Sequence, residues 1–334
     1  MSTADLTARV RGSLVVARKW HPAEFVVWVM AAAAFVLFPR QLLLLNEIAI
    51  LALFALSLDL ILGYAGIVSL GHAAFLGMGA YTAGLVALHV TADPLVGLVI
   101  GMAASGLLGL VTSPLVLKGN DLTRLMVTLG IGLLMLELAN SLGWLTGGAD
   151  GLQGIAMGKI LGLFEFDLFG KTAYAYSLTV LFLLFVLARR IVHSPFGLSL
   201  RAVRDNPLRA ASSGVPIPWR LAAVYTLSAA YAGAAGALLA QTTQFVSLDV
   251  LDFHRSADVM LVLIIGGAGW LYGGIVGAAV FKLLQDWIAW FTPQYWQFWI
   301  GLFLVAFVLG GREILHGGIR ALVARVSGRR GGGS

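Results

Sequence analysis

Cysteine is absent from the 334 residues, which excludes structural disulfides, thiolate metal sites and a cysteine nucleophile while leaving the redox compartment open. Charge is scarce as well. Lys, Arg, Asp and Glu together make up 11% of the chain, less than half of the ~25% usual in soluble globular domains. Proline occurs nine times against 41 glycines. No collagen-like or linker period organises those glycines, so they fit closely packed membrane helices, where a missing side chain lets two backbones approach. The sequence has no His-Glu-x-x-His, no Gly-x-Ser-x-Gly and no paired-carboxylate constellation, and catalysis by the chain itself is not expected. Its one Gly-Lys-Thr, at Gly170, Lys171 and Thr172, has Glu165 where a P-loop needs its first glycine. ATP is therefore not expected to bind here.

What the chain does hold is apolar surface: 59% of residues are hydrophobic and the mean hydropathy is +0.91. This composition predicts an all-α polytopic membrane protein. Apolar runs fall at 22–38, 42–62, 64–90, 95–117, 123–145, 173–188 and 221–245, and glycines divide a long stretch from 257 to 309 into 257–270, 272–290 and 294–309. The reading is about nine to ten membrane segments, with 257–270 too short for a straight crossing.

The net charge of +6 sits at the edges of these runs, so it argues for anionic membrane surface and not for nucleic acid. A basic segment 1–24, the loop 189–220 with six arginines against Asp205, and the tail 311–334 are expected on the cytoplasmic side. The loop 146–172 lacks that excess and is expected outside. No small-residue cleavage site follows the first apolar run, which reads as an uncleaved helix, and the final Gly-Gly-Gly-Ser reads as an appended linker. Residues 25–310 form the membrane domain between the two basic ends.

Split at the external loop, the chain gives two halves of five segments with opposite starting sides, an expected inverted repeat. In each half the third segment is interrupted by glycine, at GYAGIVSLGHAAFLGMGAY (63–81) and at IIGGAGWLYGG (264–274). Broken segments at matching places point to a solute path in transporters. The candidate path residues are Gly63, Tyr64, Gly66, Ser69, Gly71, His72, Gly266, Gly267 and Gly269. Elsewhere, Gly97, Gly101, Ser105 and Gly109, and likewise Ala232, Gly236 and Ala240, form small-residue faces suited to tight helix packing. Trp287, Trp290, Trp296 and Trp299 read as an interfacial belt.

Two ionisable residues lie inside apolar runs. His72 reads either as a satisfied histidine bonded to a backbone carbonyl that the glycines free, or as a substrate contact. Glu137 reads either as a partner of Asn140 or as an ion-coupling carboxylate, and together with His72 it would serve a self-sufficient secondary transporter. Glu47 and Asp59 read as interface or helix-contact groups. In the basic loop, Ser194 with Pro195 and Asn206 with Pro207 predict two short helices, and Gly214 suits a C-terminal stop. The loop is either a surface attracted to lipid headgroups or a docking element.

GYAGIVSLGHAAFLGMGAY, the loop FGLSLRAVRDNPLRAASSGV followed by AAYAGAAGALLA, and VLIIGGAGWLYGGIVGAAV resemble three signature regions of the permeases of branched-chain amino acid ABC importers, the LivM-like subunit. The resemblance covers roughly 40–310. It implies a bacterial or archaeal plasma (inner) membrane location and a second, LivH-like permease chain. It also implies two ATPase subunits that carry ATP and Mg, and an extracytoplasmic solute-binding protein. It further implies that Arg201, Arg204, Asp205, Asn206, Ala210 and Gly214 form the ATPase-coupling element, with no cofactor on this chain. Pro207 and the Ser212-Ser213-Gly214 stretch depart from the pattern of relatives, which often carry an acidic and a larger apolar residue there. Branched-chain and other amino acids, short amides, urea and aromatic acids all fall within such a family's range.

Overall fold

The computed structural model describes residues 22–303 and 305, apart from 161, 163 and 168. The basic segment up to residue 21 and the tail 311–334 lie outside the described residues. The chain divides into two compact units, 1–279 and 280–334. Eleven helices of more than one turn follow in order: α1 (Pro22–Leu37), α2 (Leu42–Ala65), α3 (Ala73–His89), α4 (Pro94–Val116), α5 (Asp121–Ser141), α6 (Lys171–Val192), α7 (Pro195–Asp205), α8 (Pro207–Ser212), α9 (Ile217–Thr243), α10 (Phe253–Gly266) and α11 (Leu271–Phe291). Helix resumes at residue 296. Among the described residues the only β pairings are two isolated bridges.

Nine of these helices occupy nine of the ten apolar runs, α7 and α8 lie in the basic loop, and the helix from residue 296 falls in the tenth run. Six of them, α2, α4, α5, α6, α9 and α11, are long and apolar enough to cross a membrane. The chain is a multi-pass, all-α membrane protein. The aromatic rings of Trp287, Trp290, Phe291, Phe298 and Trp299 stand exposed around the end of α11 and the residues that follow it.

The core forms where α9 packs on α2, α3 and α4, with α2 also against α6. Small residues bring the backbones together there. A Cβ on Gly236 would strike the Leu76 carbonyl, and one on Gly233 would strike the Ser105 side chain. The two small-residue faces predicted on α4 and α9 thus meet one another and α3. Buried hydroxyls and amides find carbonyls across the same contacts, as buried polar groups must. Ser105 Oγ donates to Phe75 O at 2.9 Å, Tyr231 OH to Leu184 O at 3.0 Å and Gln241 Nε2 to Pro94 O at 2.7 Å. An ion pair of the buried Arg189 with the half-buried Glu24 ties α6 to α1, and Tyr272 OH donates to the same Glu24 carboxylate at 3.2 Å.

Twice the chain leaves a long helix and runs back beside its neighbours before a short helix starts. After α2, residues 66–72 return along it until His72 Nε2 meets Ser57 Oγ at 2.8 Å. Ser57 lies eight residues before the end of α2, about 12 Å at helical rise. After α9, residues 244–252 run back along α3. Val246 bridges Leu152 beside Gly84, and Leu251 packs on Gly77. The two short helices that follow, α3 and α10, start against each other: Ala73 N–H donates to Ser256 Oγ at 2.9 Å.

This placement corrects one expectation. The second-half counterpart of the 66–72 break is 244–252, before α10, and not the glycines at 266–269. The signal was missed because the second return contains no glycine; Gln244 alone takes the left-handed conformation there, at φ 55°. In the loop 146–160, Leu152 and Ile155 are buried with Tyr81, Val246 and Leu251.

Candidate functional site

The basic end of the bundle is where the signature stretches converge. α2 stops at Gly66, whose φ of 73° lets its N–H and that of Ile67 return to the Leu62 and Ile61 carbonyls at 3.2 and 2.9 Å, the usual glycine stop of a helix. The α10–α11 link turns through Gly267 and Gly269, at φ 90° and 83°. There the Gly269 N–H donates to Asp59 Oδ1 at 2.6 Å. Asp59 is fully buried on α2. Gly63 lies between them, and a Cβ there would collide with both the Asp59 carboxylate and the Gly269 nitrogen. The two broken regions therefore touch backbone to backbone, held by one buried carboxylate.

Helix α7 lies over this junction. Arg204 Nη1 donates to the Gly63 carbonyl, while its Nη2 pairs with Asp205 Oδ1 at 3.1 Å. Its alkyl stem covers Gly66, where a Cβ would lie 2.8 Å from Arg204 Cγ. One turn earlier, the Arg201 guanidinium stands 5.1 Å from the centroid of the Tyr64 ring, a cation–π contact. The adjoining turn is built as expected. Asn206 Oδ1 accepts from Arg209 N–H at 3.0 Å to start α8, Ala210 is buried, and Gly214 takes φ 79°. Ser194 differs from expectation: its hydroxyl donates back to Ile191 O at 2.6 Å instead of capping α7. That carbonyl, at the end of the preceding helix, also accepts the Ser194 backbone N–H at 3.1 Å.

The predicted path residues therefore split into two groups. Gly63, Tyr64, Gly66 and Gly269 join Arg201, Arg204 and Asp205 at the basic end. Ser69, Gly71 and His72 lie at the far end of the return. Gly71 packs against the Thr128 backbone, where a Cβ would strike the carbonyl oxygen, and Leu70 N–H donates to Thr128 Oγ1 at 3.2 Å. Gly266 packs against Gly273, and Gly267 faces open space.

His72 is fully buried between the Phe54 ring, stacked at 5.5 Å, and the Phe75 ring, edge-on at 5.5 Å. Ser57 Oγ donates to Phe54 O at 2.6 Å, so its lone pair accepts from His72 Nε2–H. This leaves the ring's Nδ1 buried without a hydrogen-bond partner among the described residues. The expected carbonyl partner is corrected to a serine hydroxyl. Glu137 and Asn140 both lie on the exposed face of α5, away from that aromatic enclosure. The residue that sequence reasoning undervalued is Asp59. An acid twelve residues after Glu47 on one apolar run was its only signal.

Beside the far end of the return is a cavity of about 70 Å³, lined by Leu70 and Gly71, by Leu129, Gly132 and Leu136 of α5, and by Asp252 and Ser256 at the start of α10. Small-molecule pockets hold ~300–1,000 Å³. This one is a small gap where both returns and α5 meet.

The family described as the branched-chain amino acid transport system permease component matches residues 41–308. Two relatives carry the name high-affinity branched-chain amino acid transport system permease protein LivM. The one from Salmonella typhimurium is 30% identical over 259 residues, and the one from Escherichia coli is 29% identical over 259 residues. Each alignment covers 69% of this chain and 59% of the relative, so the chain spans well under two thirds of their length. No solved structure matches. With three signature stretches folded into one junction and a family match across most of the chain, this multi-pass membrane protein belongs to the branched-chain amino acid transport permease family.

Proposed function

We propose that the chain is one permease subunit of an ATP-binding-cassette importer in a bacterial or archaeal inner membrane, moving branched-chain or related amino acids. An extracytoplasmic binding protein delivers the solute, and separate subunits hydrolyse ATP. The observation that carries this reading is α7, a short basic-loop helix whose Arg204 is bonded to the carbonyl of a chain break. A helix placed this way can convert a push from a cytoplasmic partner into movement at the junction of the two broken regions.

On this reading two contacts hold the basic end shut. Arg204 occupies the Gly63 carbonyl, and Asp59 holds Gly269. Closure of partner ATPases would displace α7, withdraw Arg204 and part the two breaks, whose freed amides and carbonyls then meet the polar ends of the solute. The ion-coupled alternative loses support, because His72 is enclosed by two phenylalanines and the exposed Glu137 lies elsewhere.

The test is to extract the tagged chain from its native membrane in mild detergent, identify what accompanies it and assay ATP hydrolysis. Two ATPase chains and a second permease are expected, with charge reversal in Arg204→Glu releasing the ATPase chains. A lone chain that transports solute in vesicles without ATP would overturn the reading.

A further inference from the structure

Helices α4 and α6 both flank the core, yet a groove separates them. α4 packs on α9 and α3, and α6 packs on α2. At the end away from the basic loop, Tyr176 OH of α6 reaches across to Pro94 O of α4 at 3.3 Å. Beside that bond lies a cavity of about 600 Å³, within the ~300–1,000 Å³ of small-molecule sites. Its walls are Leu95, Leu98 and Met102 of α4, Phe35 of α1, Ile160 and Phe164 of the loop before α6, and two adjoining rows on α6. One row reads Lys171, Ala175, Thr179 and Leu183, a four-residue spacing that keeps one helix face. From Lys171 to Leu184 the α6 wall runs about 20 Å at helical rise. That matches the depth of one leaflet, half of a hydrocarbon core of about 30 Å, with room for a headgroup at the end.

The chemistry of the walls narrows the occupant. Thr179 Oγ1 donates to Ala175 O at 2.7 Å, and the Tyr176 hydroxyl is spent on Pro94 O. The slot therefore offers little to water, which needs about two to four polar partners. A helix is about 10 Å across with its side chains, so ~20 Å of one fills ~1,600 Å³ and exceeds the slot. An extended acyl chain is slender, apolar throughout and as long as a leaflet is deep. At the mouth of the slot Lys171 stands exposed. Among the described residues it has no carboxylate partner, since Asp167 accepts from the Thr172 N–H at 3.0 Å and Glu165 pairs with Lys159.

We propose that the slot between α4 and α6 holds one acyl chain of an anionic phospholipid, from the leaflet on the side away from the basic loop, with its phosphate on Lys171. A zwitterionic headgroup would bring its own ammonium beside Lys171, whereas an anionic one meets the lysine with negative charge alone. The chain fills the space that α4 and α6 leave between them, so the lipid braces this corner of the bundle against α1. The site needs only the membrane location and stands apart from the transporter reading.

The test uses the tagged chain with whatever accompanies it, extracted in mild detergent and returned to phosphatidylcholine vesicles. One sample receives a trace of phosphatidylglycerol with a diazirine on its acyl chain, and another the matching phosphatidylcholine probe. After illumination, adducts are mapped by mass spectrometry to the slot, at Leu95, Leu98 and Met102, and to the exposed Leu107 and Val111 of α4 as controls. The phosphatidylglycerol probe should label the slot about fivefold more than the phosphatidylcholine probe, ~1 kcal/mol for one lysine near anionic lipid. Both probes should label the controls equally. Lys171→Gln should erase the difference and Lys171→Arg should keep it. Ala175→Trp, at an exposed position on the slot wall, should remove slot adducts with both probes. Unchanged control labelling in each variant reports an intact bundle. Equal slot labelling by the two probes in the parent protein means ordinary solvating lipid and overturns the proposal. So does an unlabelled slot, or a slot covered by another protein chain.

Discussion

The two returns of the chain, 66–72 and 244–252, do the same geometric work with opposite chemistry. The first is marked by Gly66 and Gly71 and is buried or half-buried throughout, threading between α2, α5 and α10, and a Cβ on Gly71 would strike the Thr128 carbonyl. The second is side-chain rich: Val246, Val250 and Leu251 fill a hydrophobic cluster with Tyr81, Leu152 and Ile155, and Asp252 caps α10 through the His254 N–H at 2.8 Å. A return can thus be held by leaving side chains out or by putting them in. The first way, at the glycine stop of α2, leaves the last-turn carbonyl of Gly63 free to accept from Arg204. The second makes an anchored wall. This contrast places movement in the first return and its junction, and rigidity in the second.

The sharpest way to break the contrast is Gly71→Leu. A side chain there is driven into the Thr128 carbonyl, an overpacking that nothing nearby can relieve without moving α5. We expect loss of uptake and a fall in stability above ~3 kcal/mol, the upper end for overpacked sites, seen as early melting in detergent. The second return should fail in the opposite sense. Leu251→Ala empties the space against Gly77 and should cost about 2–5 kcal/mol, as buried leucine truncations do. Equal tolerance of both substitutions would contradict the comparison.

At the junction, Asp59→Ala leaves the Gly269 N–H without its acceptor. The expected cost is ~1–3 kcal/mol, whereas Asp59→Asn, which still accepts that bond, should stay within ~1 kcal/mol of the parent. Thermal unfolding of the three proteins in one detergent checks it. The smallest effect lies in the loop before α6. The Glu165 carboxyl is held below its ordinary value by the hydrogen bond and charge of Lys159, 2.7 Å away. A depressed folded pKa means that whatever the pair contributes is present above the unfolded value, near 4.5, and is lost as pH falls through the folded one. The pair is exposed, so Lys159→Ala should return the Glu165 titration upward, followed by carboxyl NMR, without changing uptake.

Much of this was legible in the chain. Hydropathy located the membrane helices within a few residues, because a long apolar run in a chain this poor in charge has few other structures open to it. Pro195, Pro207 and Asn206 marked the two loop helices through rules that depend on local backbone alone. The second return was not legible. Its anchoring depends on Leu152, Ile155 and Gly77, which lie far away in the chain. Likewise His72 could be recognised as unusual, but its serine partner and phenylalanine enclosure come from tertiary packing. Asp59 was visible as a buried-run acid; that it clasps Gly269, 210 positions on, was not.

The central claim is that α7 works the junction through Arg204. It is tested most directly by reconstituting the purified assembly with Arg204→Ala and measuring solute moved per ATP hydrolysed. The account predicts that hydrolysis continues and the partners stay bound while solute moved per ATP falls at least tenfold, because the push no longer reaches Gly63. An unchanged ratio, with the Gly63 carbonyl left without its guanidinium, would contradict it.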